Sequence, residues 1–344
     1  MSEAWPPQGT RVASGAGGML LEVENLAVHF PVGPAGWRKA QQVLRAVDGV
    51  SLNVQAGETL GIVGESGCGK TTLGRAILRL LTPTAGVIRF EGQDISRAKG
   101  AELAPMRRAL QAIFQDPFGS LNPRLRVRDI VAEPLVNLAW PRVRIEARVA
   151  EVMGIVGLPP EYATRYPHAF SGGQRQRIGI ARALAPSPRL IVCDEAVSAL
   201  DVSIQAQILN LLKDVQAEFG VAYLFVSHNL AVVRHLSHRV AVMYLGRIVE
   251  LSDEASLFAA PLHPYTAALI AAVPEPDPTK TLGPPALEGD LPSPMAPPSG
   301  CSFRTRCPIA AERCASEAPA LSEYAPGRFA RCHFPGAYRP IEPK

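Results

Sequence analysis

Residues 64–72 read Gly64-Glu65-Ser66-Gly67-Cys68-Gly69-Lys70-Thr71-Thr72, with the spacing G-x-x-x-x-G-K-[ST]. The apolar run Thr59-Leu-Gly-Ile-Val63 precedes them, and a helical pattern from Thr71 to Leu81 follows. A glycine-rich turn between a strand and a helix is the setting in which this motif binds phosphate. Its glycines let successive backbone N–H groups turn toward phosphate oxygens, and the helix N-terminus adds positive partial charge. In such a loop Lys70 reaches the β- and γ-phosphates of ATP and the Thr71 hydroxyl ligates magnesium. Gly64 through Thr72 are therefore the first candidate ATP-binding residues. Cys68 fills a free position of the loop as a spacer, though a thiolate at a helix start could be reactive.

A second motif supplies carboxylates. Arg189-Leu-Ile-Val-Cys-Asp194-Glu195 is an apolar strand ending in two acids, which places Asp194 at the C-terminal edge of a parallel sheet. Asp194 can hold the magnesium shell. Glu195, one residue on, points differently and suits the general base that activates the attacking water. Phosphate loop, magnesium carboxylate and base together imply ATP hydrolysis.

Outward from these motifs, alternation from Leu20 to Phe30 and again over Val50 to Val54 predicts two strands, with a loop over Pro31 to Gln42. Further strands are expected at Val87 to Phe90, Gln111 to Gln115, Arg189 to Cys193, Ala222 to Val226 and Arg239 to Tyr244, several with helical segments between them. Strands alternating with helices imply an α/β fold with a mostly parallel sheet covered on both faces. Val127 to Pro160 shows helical patterning with few strand signals, which suggests an all-helical insertion. Proline density rises after Pro274, marking a linker or irregular extension. No internal repeat is evident.

Bulk properties exclude more than they select. A chain of 344 residues, 47% hydrophobic, can bury a full core and suggests about two domains. The 35 Lys+Arg against 31 Asp+Glu leave a net charge of +4, far from a basic nucleic-acid binder, so no nucleic-acid partner is expected. Apolar runs such as Ala267 to Val273 are too short to span a membrane. Met1 to Pro7 lacks the basic start and apolar middle of a secretory signal, which points to the cytoplasm. Cys301, Cys307, Cys314 and Cys332 gather near the end, and in a reducing compartment such a group suggests a metal more than disulfides.

Ser171-Gly-Gly-Gln-Arg-Gln-Arg177 narrows the class of phosphate-loop protein, for here the chain resembles ATP-binding-cassette (ABC) ATPases from about Leu20 to Leu251. Other elements of that family follow in order: Gln115 resembles the Q-loop, Ser198-Ala-Leu-Asp201 the D-loop, and His228 the switch histidine. The resemblance implies a P-loop NTPase cassette with a mostly parallel core sheet, an antiparallel β subdomain and a helical subdomain over about 116–180. It also implies that two cassettes pack head to tail, so that Ser171, Gly172, Gly173 and Gln174 of one face the ATP held by the other. Donors at a helix start make physical sense there. Gln115 then joins Thr71 and Asp194 around magnesium, His228 contacts the γ-phosphate as a catalytic partner of Glu195, and Asp201 lies in the D-loop. Family members stack adenine on an aromatic residue, here Phe30, with Trp37 as the alternative. Ala196 departs from the proline many relatives carry after the catalytic glutamate.

Beyond the cassette, Phe118-Gly-Ser-Leu-Asn-Pro-Arg124, His263-Pro-Tyr-Thr-Ala-Ala-Leu269 and the cysteine-bearing tail resemble the ATPases of oligopeptide/dipeptide importers, and Gly64 to Lys70 with Ala76 to Arg79 resembles the second of their paired ATPases. This organisation implies a flexible tail over 1–18, an ATPase domain over 19–260 and an irregular C-terminal extension over 261–344. It also implies a second ATPase subunit in a hetero- or homodimer, two membrane permease subunits and, indirectly, an extracytoplasmic solute-binding protein. The chain would then lie peripherally on the cytoplasmic face of the inner (plasma) membrane. Nickel, glutathione or another small solute is the alternative cargo, and a soluble ABC ATPase outside transport is the rival class. The arginines Arg124, Arg126, Arg128, Arg142, Arg144 and Arg148 border a permease cleft or form a solvated helical face. The tail spacing C-x5-C-x6-C-x17-C does not match paired zinc motifs. Relatives with this tail are associated with a [4Fe-4S] cluster, and a cluster, zinc or free thiols all remain open for the four cysteines.

Overall fold

The computed structural model describes residues 18–33, 42–116, 118–273 and 289–338. All but the last residue of the 1–18 tail, Trp37, and the proline-rich stretch 274–288 lie outside the described residues. In chain order the strands and helices are β1 (Met19–Val32), β2 (Gln42–Gln55), β3 (Thr59–Val63), α1 (Lys70–Ile77), β4 (Ala85–Phe90), β5 (Gln93–Asp94), α2 (Ala104–Ala109), β6 (Leu110–Ile113), α3 (Val127–Asn137), α4 (Arg142–Ile155) and α5 (Gly172–Leu184). They continue as β7 (Leu190–Asp194), α6 (Val202–Phe219), β8 (Ala222–Val226), α7 (Leu230–Leu236), β9 (Arg239–Tyr244), β10 (Arg247–Asp253), α8 (Glu254–Ala259), α9 (Pro264–Ala271), α10 (Glu312–Ser316), β11 (Ser322–Ala325) and β12 (Arg328–Ala330). The chain divides into two compact units.

Among the described residues, the first unit comprises 18–22, Asn53–Thr59 and Arg89–Val226. Its sheet runs β8-β7-β6, all parallel, in registers that include Asp194↔Val226 and Ile113↔Cys193. Every residue of β7 and β8 is buried, which is why both read as unbroken apolar runs rather than alternating ones. Helices α3, α4 and α5 pack on one another as the expected helical region. Arg148 on α4 is buried there. Its guanidinium donates to the carbonyls of Ala185 (3.0 Å) and Leu184 (2.9 Å) and to Ser187 Oγ (3.1 Å), and it pairs with Glu151 at 2.8 Å. It thereby satisfies carbonyls that the end of α5 leaves without partners. Arg148 therefore belongs neither to a cleft rim nor to a solvated face.

The second unit comprises the described residues of Val23–Leu52, Leu60–Ile88 and those from Ser227 to 338. Here β3 pairs in parallel with β9 (Leu60↔Arg239, Val63↔Val242), and β10 lies antiparallel to β9. Strands β12 and β11 then extend the same sheet, with Glu250↔Ala330 linking β10 to β12. The described part of the C-terminal extension is thus built into this unit's sheet. Strands β2, β1 and β4 lie side by side in that order.

Three differences from the sequence expectation have local causes. Strand β2 begins at Gln42, eight residues before the alternation at Val50 announces it. Helix α1 stops at Ile77 instead of Leu81: Arg79 takes a left-handed conformation (φ 56°), its N–H donates to Ala76 O, and Leu80 N–H donates to Arg75 O. That bond pair closes a helix end, usually with glycine in the position Arg79 holds. Strand β10 was not expected because its polar residues Glu250 and Ser252 are wholly buried. Glu250 is paired, accepting the N–H groups of Leu262 (2.7 Å) and His263 (2.8 Å).

Candidate nucleotide site

In the second unit, β3 delivers the chain into residues 64–69 and α1 leaves from Lys70. Gly69 has φ 107°, and a Cβ there would run into the Ala46 carbonyl oxygen, so the loop's turn into α1 demands glycine. No side chain caps α1 and its first turn holds no acid. Ser66 and Gly67 are exposed at the loop's tip, whereas Lys70 is buried. The Lys70 ammonium donates to the carbonyls of Gly64 (2.7 Å) and Glu65 (2.9 Å). A helix start without a side-chain cap, with an ammonium at its head, fits a polyphosphate, whose oxygens accept from backbone N–H groups at such an end. Thr71 and Thr72, half-buried, follow in the first turn.

Cys68 lies 3.8 Å from the Lys70 nitrogen but is buried, and burial pushes its thiol up more strongly than Lys70 pulls it down. Cys68 thus packs as a buried residue of the loop, in keeping with a spacer rather than a reactive thiolate. His228 is exposed between β8 and α7, and Phe30 is half-buried near the end of β1.

Two residues of this site escaped the sequence reading. The N–H of Glu65 donates to the Tyr265 hydroxyl (2.9 Å), and the Glu65 carboxylate accepts two hydrogen bonds from Arg306 (2.8 and 2.9 Å). Tyr265 is set in place by its neighbour. His263 is buried, its Nδ1 accepts the Tyr265 N–H at 3.0 Å, and Pro264 follows at the first helical position of α9. Burial drives the His263 pKa down from 6.5 to about 3, so the imidazole is neutral and free to accept.

In the first unit, Asp194 ends β7, is 7% exposed, and is followed by Glu195 at φ 49°, a left-handed conformation rare for a side-chain-bearing residue. The contacts that hold that bend include Glu195 N–H donating to Val226 O (2.9 Å) and Glu195 O accepting from both Ser198 Oγ (2.9 Å) and Ser198 N–H (3.1 Å). Gln115 Nε2 donates to Glu195 Oε2 at 2.9 Å, bringing together two residues that lie 80 positions apart in the chain. Such strain, where it is held by named contacts, marks candidate functional positions.

The other motifs of this unit sit at helix starts. Ser171 caps α5, its Oγ accepting from Gln174 N–H (3.3 Å) while the Gln174 side chain accepts from Ser171 N–H (3.0 Å). A Cβ on Gly173 would collide with Ile204 of α6, so this glycine permits close helix packing, while Gly172 is under no comparable constraint. Asp201 caps α6 by accepting from Ile204 N–H at 2.9 Å.

The four cysteines of the extension draw together. Cys301 N–H donates to Cys314 O (2.8 Å), and burial first, with Cys301, Cys307 and Cys314 adding to it, pushes the Cys332 thiol up to about 11. Among the described residues, however, no group of three or more His, Cys, Asp or Glu is spaced to hold a single metal ion. Nor is any described helix long and apolar enough to cross a membrane.

A strand running into a glycine-rich loop of the G-x-x-x-x-G-K-[ST] form at a helix without a side-chain cap, together with a parallel strand that ends in adjacent aspartate and glutamate, has the form of a P-loop ATPase. Residues 47–198 match the ABC transporter family, and residues 249–314 match the oligopeptide/dipeptide transporter C-terminal region. A probable peptide ABC transporter ATP-binding protein, y4tS of Sinorhizobium fredii, is 56% identical over 94% of this chain and 93% of its own. The oligopeptide transport ATP-binding protein AppF of Bacillus subtilis is 51% identical over 91% of this chain and 97% of its own. Among solved structures, cbiO1 of Clostridium perfringens, part of an ABC transporter complex, aligns with TM-score 0.61 at 27% identity, covering 70% of this chain and 91% of that one. The dimeric cassette MJ0796 bound to ADP and Pi aligns with TM-score 0.60 at 28% identity, covering 68% and 99%. The chain belongs to the ABC transporter ATP-binding proteins, in the group that carries the oligopeptide/dipeptide transporter C-terminal region. As an ATPase of this family it uses ATP and magnesium.

Proposed function

We propose that this chain is the ATP-hydrolysing motor subunit of an importer for di- and oligopeptides, and that Glu195 is its general base. The hydrogen bond from Gln115 to Glu195 carries the reading of the site. A carboxylate held by an amide and carried on a left-handed backbone bend has a fixed direction in which to accept a proton from water. In the second unit Lys70 would neutralise β- and γ-phosphate charge and Thr71 would offer its hydroxyl to magnesium. In the first unit Asp194 and Gln115 carry oxygen ligands of the kind magnesium takes. Magnesium, when bound, would neutralise charge developing on the phosphates. His228 would contact the γ-phosphate, and Phe30 would stack on adenine.

Ser171 to Gln174 would face the nucleotide of a second ATPase subunit. Closure and reopening of that pair would drive two membrane permease subunits served by an extracytoplasmic binding protein, which places the chain peripherally at the cytoplasmic side of the membrane. The names of the relatives support peptide cargo, with nickel or glutathione as the alternative. For the tail we favour a four-iron cluster on Cys301, Cys307, Cys314 and Cys332: four irons spread four thiolates wider than one tetrahedral ion does, which suits thiols that interact without single-ion spacing. Iron and acid-labile sulfide in the purified chain would support it, and their absence after anaerobic reconstitution would reject it.

Glu195→Gln is the decisive variant. It should keep ATP binding while turnover falls by roughly 10²- to 10⁴-fold. Unchanged steady-state hydrolysis would remove Glu195 from the role of base. Uptake of labelled peptides, with nickel and glutathione in parallel, in cells with and without the gene assigns the cargo.

A further inference from the structure

Glu65 is an unusual burden for a loop whose task is to receive a polyphosphate, because its carboxylate adds negative charge beside the place where the phosphates bind. The structure deals with that charge from far along the chain. Arg306, in the extension between Cys301 and Cys307, presents Nη1 to Glu65 Oε2 at 2.8 Å and Nη2 to Oε1 at 2.9 Å, a two-pronged pairing across 241 positions of sequence. The Arg306 side chain is 7% exposed and that of Glu65 28%. The rings of Tyr244, Tyr265 and Phe303 pack on one another at centroid distances of 4.8 to 5.5 Å, and Tyr244 and Tyr265 both lie beside Arg306. Tyr265 also accepts the Glu65 N–H, so backbone and side chain of one loop residue are both fixed from the C-terminal region.

We propose that Arg306 is a positioning residue of the ATP site: it neutralises and clamps Glu65, so that the carboxylate neither repels the triphosphate nor captures Lys70. The inference rests on the reading of residues 64–72 as the ATP-binding loop. Lys70 is within reach of a released carboxylate, because its ammonium already donates to the carbonyl of Glu65 at 2.9 Å. A two-pronged guanidinium–carboxylate pair fixes direction as well as charge, which lysine in the same position does less well. Stability alone does not account for the arrangement, since a buried ion pair gains little over apolar residues of equal volume. The extension therefore does more than thicken the sheet, for it sets the charge of the phosphate loop.

The test compares the full-length wild type with Arg306→Met, Arg306→Lys, Glu65→Gln and the double variant Glu65→Gln/Arg306→Met. Affinity for a fluorescent ATP analogue is titrated, and circular dichroism and melting curves follow folding. Arg306→Met should weaken binding about tenfold or more and Arg306→Lys by an intermediate factor, whereas the double variant should return to within about threefold of wild type because the offending charge is gone. A purely structural role predicts the opposite for the double variant, since removing both partners cannot restore a lost brace. Wild-type affinity in Arg306→Met, failure of Glu65→Gln to restore it, or unfolding of both Arg306→Met and the double variant would each overturn the inference. Failure of the wild-type chain to bind the analogue would instead overturn the ATP-site reading beneath it.

Discussion

Helices α1 and α9 are each eight residues long and belong to the same compact unit, yet their N-termini are finished in opposite ways. Helix α1 starts behind Gly69 with no side-chain cap and Lys70 at its head. Helix α9 starts behind His263, whose ring nitrogen takes the Tyr265 N–H, with Pro264 placed where an N–H would lack a partner. The same backbone electrostatics are present at both ends. At α1 no side chain caps them, and at α9 the chain closes them itself with a buried neutral imidazole. An open N-terminus tolerates water and phosphate, whereas a closed one must be satisfied from within.

The largest effect that can sharpen this contrast is at the open end. Lys70→Ala should weaken ATP binding by roughly 10- to 100-fold, the value of a lost hydrogen bond between charged groups. Helix α9 should be untouched, as hydrogen exchange of its amides would report. Full affinity in this variant would show that the uncapped helix start suffices without the ammonium.

At the closed end the sensitive variable is pH. The folded His263 pKa, about 3, lies below the unfolded value of 6.5, so the unfolded chain binds the proton first. The stability tied to the neutral ring is complete above about pH 6.5 and is lost as pH falls toward 3. Between pH 7 and pH 5 the cost is about 2 kcal/mol. Buried Glu250, whose pKa burial raises, titrates with the opposite sign, so the effect is best taken as a difference between two proteins. His263→Asn keeps a capping oxygen for the Tyr265 N–H and cannot titrate. Melting curves at pH 7 and 5 should fall closer together for this variant than for wild type, and equal shifts would remove His263 as the source.

The contrast also explains what the sequence disclosed. Residues 64–72, Asp194-Glu195 and Ser171 to Gln174 stood out in the sequence because each is a short local pattern whose spacing a phosphate or metal ligand would impose. The left-handed turn at Arg79 was hidden because the residue there is not glycine, and β10 because Glu250 and Ser252 are interior. Arg148 read as a surface cation, and only the end of α5 reveals what its guanidinium serves. His263-Pro-Tyr-Thr266 stood out as a motif without a task, because the partner of Tyr265 lies 200 positions earlier and no local pattern encodes that distance.

The smallest effect joins the two helices through that partner. Tyr265→Phe keeps the ring packing against Tyr244 and Phe303 and removes only the oxygen that accepts the Glu65 N–H. A part-buried amide left without its acceptor should cost about 1 kcal/mol, and the phosphate loop, no longer held at that N–H, should bind ATP a few-fold more weakly. The Arg306 pairing survives in this variant, so the loss must stay smaller than in Arg306→Met if charge outweighs backbone restraint in setting the loop. Titration of both variants side by side decides the order. A larger loss in Tyr265→Phe would mean that α9, through its closed end, governs the open end of α1 more than the guanidinium does.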